Sequence, residues 1–478
     1  MPGAFNAIVP MSCVTAAAIA AMVAEAFREP GERMPIAGLG AVGLIGAAIA
    51  SFLLWDHGAS SFKVVVADNF GLFVTWILII VALLSLAMSG PTIEREHLPA
   101  GEYYALMLFA TAGMMLMATA SDLLVIFLAL EVLSLGVYVL TGIRRTSPTA
   151  TEAAFKYFLV GAFSSAFFLY GIAFTYGLSG STRLESVSGR MAAQPVASAP
   201  LQLVALALLL VGFGFKVSAV PFHMWTPDVY EGAPPAVTGF MSTGVKAAAF
   251  AAFLRVFLSA FEPLRTEWAD ALKLVAVATM IVGTVVGVSQ SSVKRMLAYS
   301  SIAHAGYLLV GLLAANDIGK GAVLFYLLAY AVTNVGAFGV IGLLEAADRP
   351  NDQVQDYAGL STTHPVLAAL MTIFLLSLGG FPPFAGFVAK WYVFGAAVKA
   401  GYIGVAVIAV LTSVISVFFY LRIVVMMYMT TRETPAAIPR VPTLAGGALI
   451  VCAVLVFYLG ILPTRVMEWA AASISTMF

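Results

Sequence analysis

The sequence has 478 residues, of which 61% are hydrophobic and only 10% are charged. A soluble domain carries about a quarter of charged residues, so this composition excludes an ordinary soluble protein and predicts an all-α membrane protein with many spans. Lys plus Arg and Asp plus Glu both number 24, and this balance indicates no nucleic-acid partner. Cys13 and Cys452 lie alone in apolar runs, and no glycine-rich phosphate loop is present. We therefore expect no metal and no redox cofactor on this chain.

Apolar runs of about 20 residues predict about fourteen transmembrane helices. In chain order they lie near 5–26, 36–55, 69–90, 103–120, 121–143, 152–178, 200–225, 233–260, 271–290, 293–315, 319–346, 364–398, 402–429 and 443–463. The longest connection, Ser179 to Pro200, is rich in Ser, Gly and Ala and is expected to form a surface loop. The tight pairs Arg144–Arg145 and Lys294–Arg295 fall on the side opposite the N-terminus, which predicts that both termini lie outside.

Three sequence matches recur in order at offsets of 166 to 168 residues. Residues 157–171 align with 325–339, 208–215 with 374–381, and 253–257 with 420–424. This repetition predicts two five-helix units, and an odd number of crossings inverts the second unit in the membrane. The expected division is a three-helix segment (1–100), a first unit (101–262), a second, inverted unit (263–430) and a C-terminal helix (431–478).

Two helices should be discontinuous. Lys216 is followed by Pro221, and LSLGGFPPFAGFVAKW (376–391) places Gly379, Gly380, Pro382 and Pro383 inside an apolar run. Proline removes a backbone donor and clashes with the preceding turn, so helix breaks are predicted near 217–221 and 379–383. Broken backbone is not tolerated against lipid, so both breaks should face protein or water.

Ionisable residues inside spans are costly, about 2.5–3.5 kcal/mol each at the helix centre, and are functional by default. The candidates for a proton relay are Glu131, Lys216, Lys246, Lys390, His304 and Lys156. Glu131 and Lys216 lie at similar depth, so we expect their charged groups within about 4–6 Å, directly or through one water.

Structural alternatives exist for these residues. Glu131 can form a helix-locking ion pair, and Lys246 or Lys390 can extend to the interface. His304 can be a satisfied core residue, and Lys156 can pair with Glu152 one turn earlier at the interface. His223, Asp228 and Glu231 flank the first break; they lack the paired His or Cys ligands of a metal site, and a structural clasp is expected.

The segments KVSAVPFHMWTPDVYEGAPPAVTGFMS (216–242) and GGFPPFAGFVAKW (379–391), with a glutamate in mid-membrane, resemble the antiporter-like membrane subunits of respiratory complex I. The resemblance covers the whole chain. TPDVYEGAP resembles one type of bacterial NADH:quinone oxidoreductase subunit, whereas related subunits and multi-subunit sodium/proton antiporters read LPDAHAEAP.

The resemblance implies a proton-translocating subunit in the bacterial inner membrane. It matches Glu131, Lys216, Lys246 and Lys390 to the relay residues of that family, Lys156 to a further lysine and His304 to a polar linking residue. Its partners are lipid, protons and the other membrane subunits, and quinone and NADH act only through those subunits. The rival functions are a Na⁺/H⁺ antiporter or membrane-hydrogenase subunit of the same family, and a structural scaffold.

Overall fold

The computed structural model describes residues 5–27, 35–193, 200–345, 351–431 and 441–477. These ranges are almost wholly helical, and their two short strands form one antiparallel hairpin, β1 (Ala59–Ser61) with β2 (Val65–Ala67). Eleven of the described helices are long and apolar enough to cross a membrane, which confirms a multi-pass helical membrane protein.

The helices follow the apolar runs of the sequence closely. They are α1 (Val9–Ala26), α2 (Ile36–Leu54), α3 (Asn69–Arg95), α4 (Ala100–Thr119), α5 (Leu123–Thr141), α6 (Pro148–Ser179), α7 (Leu184–Ala193), α8 (Leu201–Lys216), α9 (Trp225–Gly232), α10 (Pro235–Phe240), α11 (Lys246–Arg255), α12 (Arg265–Val288), α13 (Val293–Ala314), α14 (Asp317–Leu344), α15 (Leu360–Thr363), α16 (Pro365–Gly379), α17 (Ala385–Lys399), α18 (Ile403–Met429), α19 (Thr443–Ile461) and α20 (Thr464–Ser475).

The core of the bundle consists of α10, α11, α13 and α14, which other helices enclose almost completely. A π-helical turn, Met241–Val245, joins α10 to α11 and ends directly before Lys246. Single π-turns inside α-helices are rare and occur frequently at functional sites. By contrast, α1, α2, α6, α18 and α19 present apolar side chains outward, as expected of helices that face lipid.

Both predicted helix breaks are present. The first half-helix α8 ends at Lys216 and α9 begins at Trp225, with a left-handed residue at Ser218 (φ 63°). In the second break α16 ends at Gly379 and α17 begins at Ala385, with Gly380 left-handed (φ 87°). A cis peptide bond precedes a proline in each segment, at Pro221 and Pro383.

The two breaks end their first half-helices with the same hydrogen-bond pattern. The Ala219 amide donates to the Gly214 carbonyl at 2.8 Å, and the Phe381 amide donates to the Leu376 carbonyl at 3.1 Å. Each is a six-residue closure of the kind that satisfies free carbonyls at a helix end. The pattern pairs Gly214 with Leu376, an offset of 162 residues, whereas the sequence match had paired Gly214 with Gly380.

The connection from Ser179 to Pro200 is not the plain surface loop expected from its composition. It contains helix α7, whose Leu184, Val187 and Met191 side chains are buried. Spacings of three and four residues place these three side chains on one face of a short amphipathic helix. The prediction failed because small polar residues fill the opposite face and lower the average hydrophobicity of the stretch.

Candidate functional site

Lys216, the last residue of α8, is buried with 3% of its surface exposed. Its ammonium donates to the Ser134 hydroxyl of α5 at 2.6 Å. It also lies over the rings of Tyr138 and Tyr157, at 5.6 and 5.8 Å from their centroids. Cation–π contacts and a hydroxyl therefore take the place of a carboxylate around this lysine.

Glu131 lies on α5 one turn before Ser134 and is half-buried. Its Oε1 is enclosed and has no hydrogen-bond partner. No ion pair at contact distance joins Glu131 to Lys216 among the described residues, and the lysine donates to Ser134. The expected separation of about 4–6 Å, directly or through one water, stays a prediction.

Lys246 begins α11 in the centre of the bundle and is 2% exposed. Its ammonium donates to the carbonyl and to the hydroxyl of Ser301 in α13, at 2.6 and 2.5 Å. The ring of Tyr330 lies 5.3 Å away. This depth and these partners place Lys246 away from any interface, so extension of its ammonium to the membrane surface does not occur.

His304 lies one turn beyond Ser301 on the same helix and is 3% exposed. Its Nδ1 lies 2.6 Å from the Tyr326 hydroxyl and its Nε2 lies 3.3 Å from the Tyr420 hydroxyl. Tyr420 is in turn bonded to the Ser300 hydroxyl. A histidine between two hydroxyls can accept a proton on one nitrogen and release it from the other.

Lys390 lies on α17, after the second break, and is 4% exposed. Its ammonium donates to the carbonyls of Leu378 and Gly379 at 2.8 and 3.1 Å, and to the Ser413 hydroxyl at 2.8 Å. Those carbonyls lie at the end of α16, where the helix no longer supplies amide donors for them. The break itself thus makes the binding site for this ammonium.

A continuous series of side-chain contacts joins Lys246 to Lys390. The Tyr330 ring lies 5.3 Å from the Lys246 ammonium and 5.2 Å from the His304 ring. The Tyr307 ring lies 5.6 Å from the His304 ring and 5.4 Å from the Lys390 ammonium. The structure therefore brings these three predicted residues into one row.

Lys216 meets this row through aromatic rings. Tyr157 stacks on Trp225 at 4.4 Å, Trp225 contacts Tyr230 at 6.4 Å, and the Tyr230 hydroxyl lies 3.4 Å from the Ser301 hydroxyl. Ser301 holds Lys246, so the first break and the central lysine share one packed core.

Lys156 does not belong to this buried row. Its side chain is 44% exposed and pairs with Glu152 and with Asp228, both at 2.7 Å. Arg295 binds the same Asp228 and also Glu231, each at 2.8 Å. The Asp228 carboxylate is thus shared by two cations, Lys156 and Arg295.

Asp228 and Glu231 therefore form the clasp that the sequence predicted, with Arg295 as their common partner. His223 makes no ion pair in it, and its Nδ1 is enclosed without a hydrogen-bond partner. Among the described residues, no group of three or more His, Cys, Asp or Glu side chains could hold a metal ion.

A second ion-pair network surrounds Glu345, just past the end of α14. Arg95, Arg144 and Lys294 contact its carboxylate at 2.7, 2.6 and 3.2 Å. Burial alone would raise the pKa of Glu345, but Lys294, Arg144 and Arg95 outweigh it and hold the pKa at about 2. This carboxylate is permanently charged at neutral pH.

Sequence reasoning located the charged members of the row and missed the hydroxyls that hold them. Ser134 lies three residues after Glu131, and Ser300 and Ser301 lie four and three residues before His304. Hydroxyls spaced three or four residues from a titratable group in an apolar helix share its face, and this signal was available. The tyrosines of α14 gave no such signal, because aromatic residues are ordinary in membrane helices.

Comparisons with known proteins show the family of the chain. The family model for NADH:quinone oxidoreductase/Mrp antiporter membrane proteins matches residues 120–416. NADH-quinone oxidoreductase subunit N of Trichlorobacter lovleyi is 44% identical and covers 98% of this chain and 96% of its own length. A chain of respiratory complex I from Thermus thermophilus superposes with a TM-score of 0.82 at 36% identity, covering 97% of this chain and 99% of that chain.

A chain of the Mrp complex from Dietzia sp. has a TM-score of 0.83 at 22% identity, covering 100% of this chain and 98% of that chain, and shares the fold. The resemblance read from TPDVYEGAP is confirmed by the relative from T. lovleyi. The chain belongs to the family of NADH:quinone oxidoreductase and Mrp antiporter membrane proteins, in the group of bacterial subunit N.

Proposed function

We propose that this chain translocates protons as a membrane subunit of NADH:quinone oxidoreductase, complex I, in the bacterial inner membrane. Protons pass along Glu131, Lys216, Lys246, His304 and Lys390. Quinone reduction in other subunits drives the transfer, and this chain carries no redox site of its own. Lys156, paired at the edge of the first unit, joins the route only as a peripheral group.

One observation carries the proposal. Lys216, Lys246 and Lys390 are all buried, and their hydrogen-bond partners are hydroxyls and carbonyls rather than carboxylates. A carboxylate at contact distance would fix the ammonium in its charged form, whereas neutral acceptors leave its charge to respond to neighbouring charges. Three such lysines in one bundle are suited to proton relay and poorly suited to a passive scaffold.

The architecture supports the same proposal. The eleven candidate spans become fourteen crossings when α4 is added and each interrupted pair, α8–α9 and α16–α17, is counted as one crossing. Two five-helix units, 101–262 and 263–430, then follow the segment 1–100 and precede the helix in 431–478. The matching breaks are consistent with inverted units, whose transport sites lie at the membrane midplane.

Each break is also next to space for water. A cavity of about 10 Å³ lies beside Lys216, Tyr138 and Ser164, and another of about 10 Å³ lies beside His304 and Ser377. A single water needs about 10–15 Å³ of such volume and two to four polar partners. One water at each break would connect hydroxyls that do not touch directly.

The test is proton pumping by the intact complex in sealed vesicles, measured beside quinone reduction. We expect Lys216→Ala and Lys390→Ala to stop pumping, with Lys273→Ala, an exposed lysine on α12, as the matched control. Undiminished pumping in both variants would favour the scaffold. Pumping that requires sodium ions would favour the Na⁺/H⁺ exchanger.

A further inference from the structure

Two adjacent basic residues in the first turn of α13 bind two separate acidic groups. Lys294 contacts Glu345 at 3.2 Å, and Arg295 contacts Asp228 and Glu231 at 2.8 Å each. From the sequence, Lys294 and Arg295 served only as positive charges that indicate the orientation in the membrane. The proposed proton route does not use them. In the structure this pair is the point at which both ion-pair networks meet.

The acidic groups belong to different parts of the chain. Glu345 follows α14 and also binds Arg95, at the end of α3, and Arg144, just past α5. Asp228 lies on α9, the half-helix after the first break. The first turn of α13 is thus fixed at once to the N-terminal segment, to the first unit and to its own unit.

Helix α13 also carries the groups that hold the central lysine. Ser301 accepts both hydrogen bonds of Lys246, and His304 bonds Tyr326. Ser301 lies six residues beyond Arg295, about 9 Å along a helix. The stretch from Val293 to Ala305 contains neither proline nor glycine, so a shift of the first turn is carried to Ser301 without a kink.

We infer that Lys294 and Arg295 are positioning residues for proton transfer: they fix α13 at the height at which Ser301 meets Lys246 and His304 meets the Tyr330 ring. This inference rests on the proposed function. Because Asp228 follows the first break, movement of α9 also moves α13, and the two units are coupled mechanically through Arg295.

A double-mutant cycle tests this inference in the intact complex. Residues about 9 Å apart without a shared partner normally have additive effects. We expect Arg295→Gln to lower the pumping rate about fivefold in the natural background and by a smaller factor in Ser301→Ala, which lacks the hydroxyl but keeps the Ser301 carbonyl and His304. An equal fold-change in both backgrounds would overturn the inference.

Controls separate positioning from assembly. Both carboxylates contact the same nitrogen of Arg295, Nη1, so Arg295→Lys should restore most of the pumping. Lys273→Gln, which removes an exposed pair on α12, should leave pumping unchanged. If Arg295→Gln does not assemble, Asp228→Asn takes its place in the cycle with the same expected result and the same overturning outcome.

The failure of the inference differs from the failure of the proposed function. Pumping that persists in an assembled Lys246→Ala variant overturns the proposed function. Pumping lost in Lys246→Ala, together with additive effects in the cycle, overturns the positioning role alone.

Discussion

Lys246 at the middle of the bundle and Lys294 at its end are equally buried but have different kinds of partner. Lys246 is 2% exposed and bonds only Ser301, whereas Lys294 is 3% exposed and pairs with a carboxylate. Removal of one partner from a buried ion pair leaves an uncompensated charge. A lysine among hydroxyls has no such fixed charge partner. Burial alone therefore does not distinguish a relay residue from a structural one, and the partner does.

The largest effect should come from Lys246. We expect Lys246→Ala to abolish proton pumping because it removes the titratable group at the centre of the bundle. Lys246→Arg should abolish it too, because arginine keeps its charge in proteins. Pumping and quinone reduction are measured in membranes, with assembly checked separately. If Arg preserved pumping, Lys246 would belong with the structural cations.

Glu345 should give the largest loss of stability. Glu345→Gln leaves Arg95, Arg144 and Lys294 without their common carboxylate, at an expected cost on the order of 3–5 kcal/mol. Thermal unfolding of the complex measures this loss. Glu96→Gln, a partly exposed neighbour, should cost less than about 1 kcal/mol. Equal losses of stability in the two variants would show that the buried network stabilises the fold no more than a partly exposed ion pair does.

The same carboxylate predicts a pH dependence. The folded-state pKa of Glu345 is about 2 and its ordinary value is 4.5, so its stabilising contribution is complete above pH 4.5 and is lost as the pH falls to about 2. Unfolding should therefore become easier across this window in the natural protein. The Glu345→Gln variant should lose that part of the dependence, and an unchanged curve would contradict the assignment.

Glu131→Gln should lower the pumping rate strongly and change the stability little. Its Oε1 has no hydrogen-bond partner, so we expect a stability change within about 1 kcal/mol. Pumping should fall about a hundredfold, the lower end of the effect of losing one positioned proton-transfer group. A variant with lost stability and full pumping would place Glu131 among the structural residues.

The smallest effect on the pumping rate should come from replacing Lys156. It is 44% exposed and makes two surface pairs, so Lys156→Gln should change the pumping rate less than about twofold. The same proton-pumping assay measures it, with Lys273→Gln as the control. A complete loss of pumping would move Lys156 into the relay, as the family resemblance implies.

Much of the fold was predictable because each span needs an apolar run and each break needs proline or glycine. Pro221 and Pro383 located both breaks, and the charged residues of the row were visible in mid-helix. The ion-pair partners of the charged residues were not predictable. Glu345 lies 201 residues from Arg144 and 250 from Arg95, and no local pattern encodes such pairing.

The hydrogen-bond acceptor of Lys216 was missed for a related reason. Depth along two helices indicates which residues lie at one level, but their rotation decides which side chains face each other. Ser134, one turn from Glu131, faces the lysine. At the breaks the hydrogen-bond register differs by four residues from the sequence match, because many apolar residues align equally well, whereas the backbone hydrogen bonds have one register.

The acceptors around the lysines have a consequence for genetics. Leu378 and Gly379 bind Lys390 through their peptide carbonyls, and Ser301 supplies one of its two bonds to Lys246 in the same way. Every amino acid carries a carbonyl, so a survey that replaces side chains one by one leaves these acceptors in place. A substitution that straightens the second break would move the Leu378 and Gly379 carbonyls, and an ester in the backbone would weaken such a carbonyl as an acceptor without removing it.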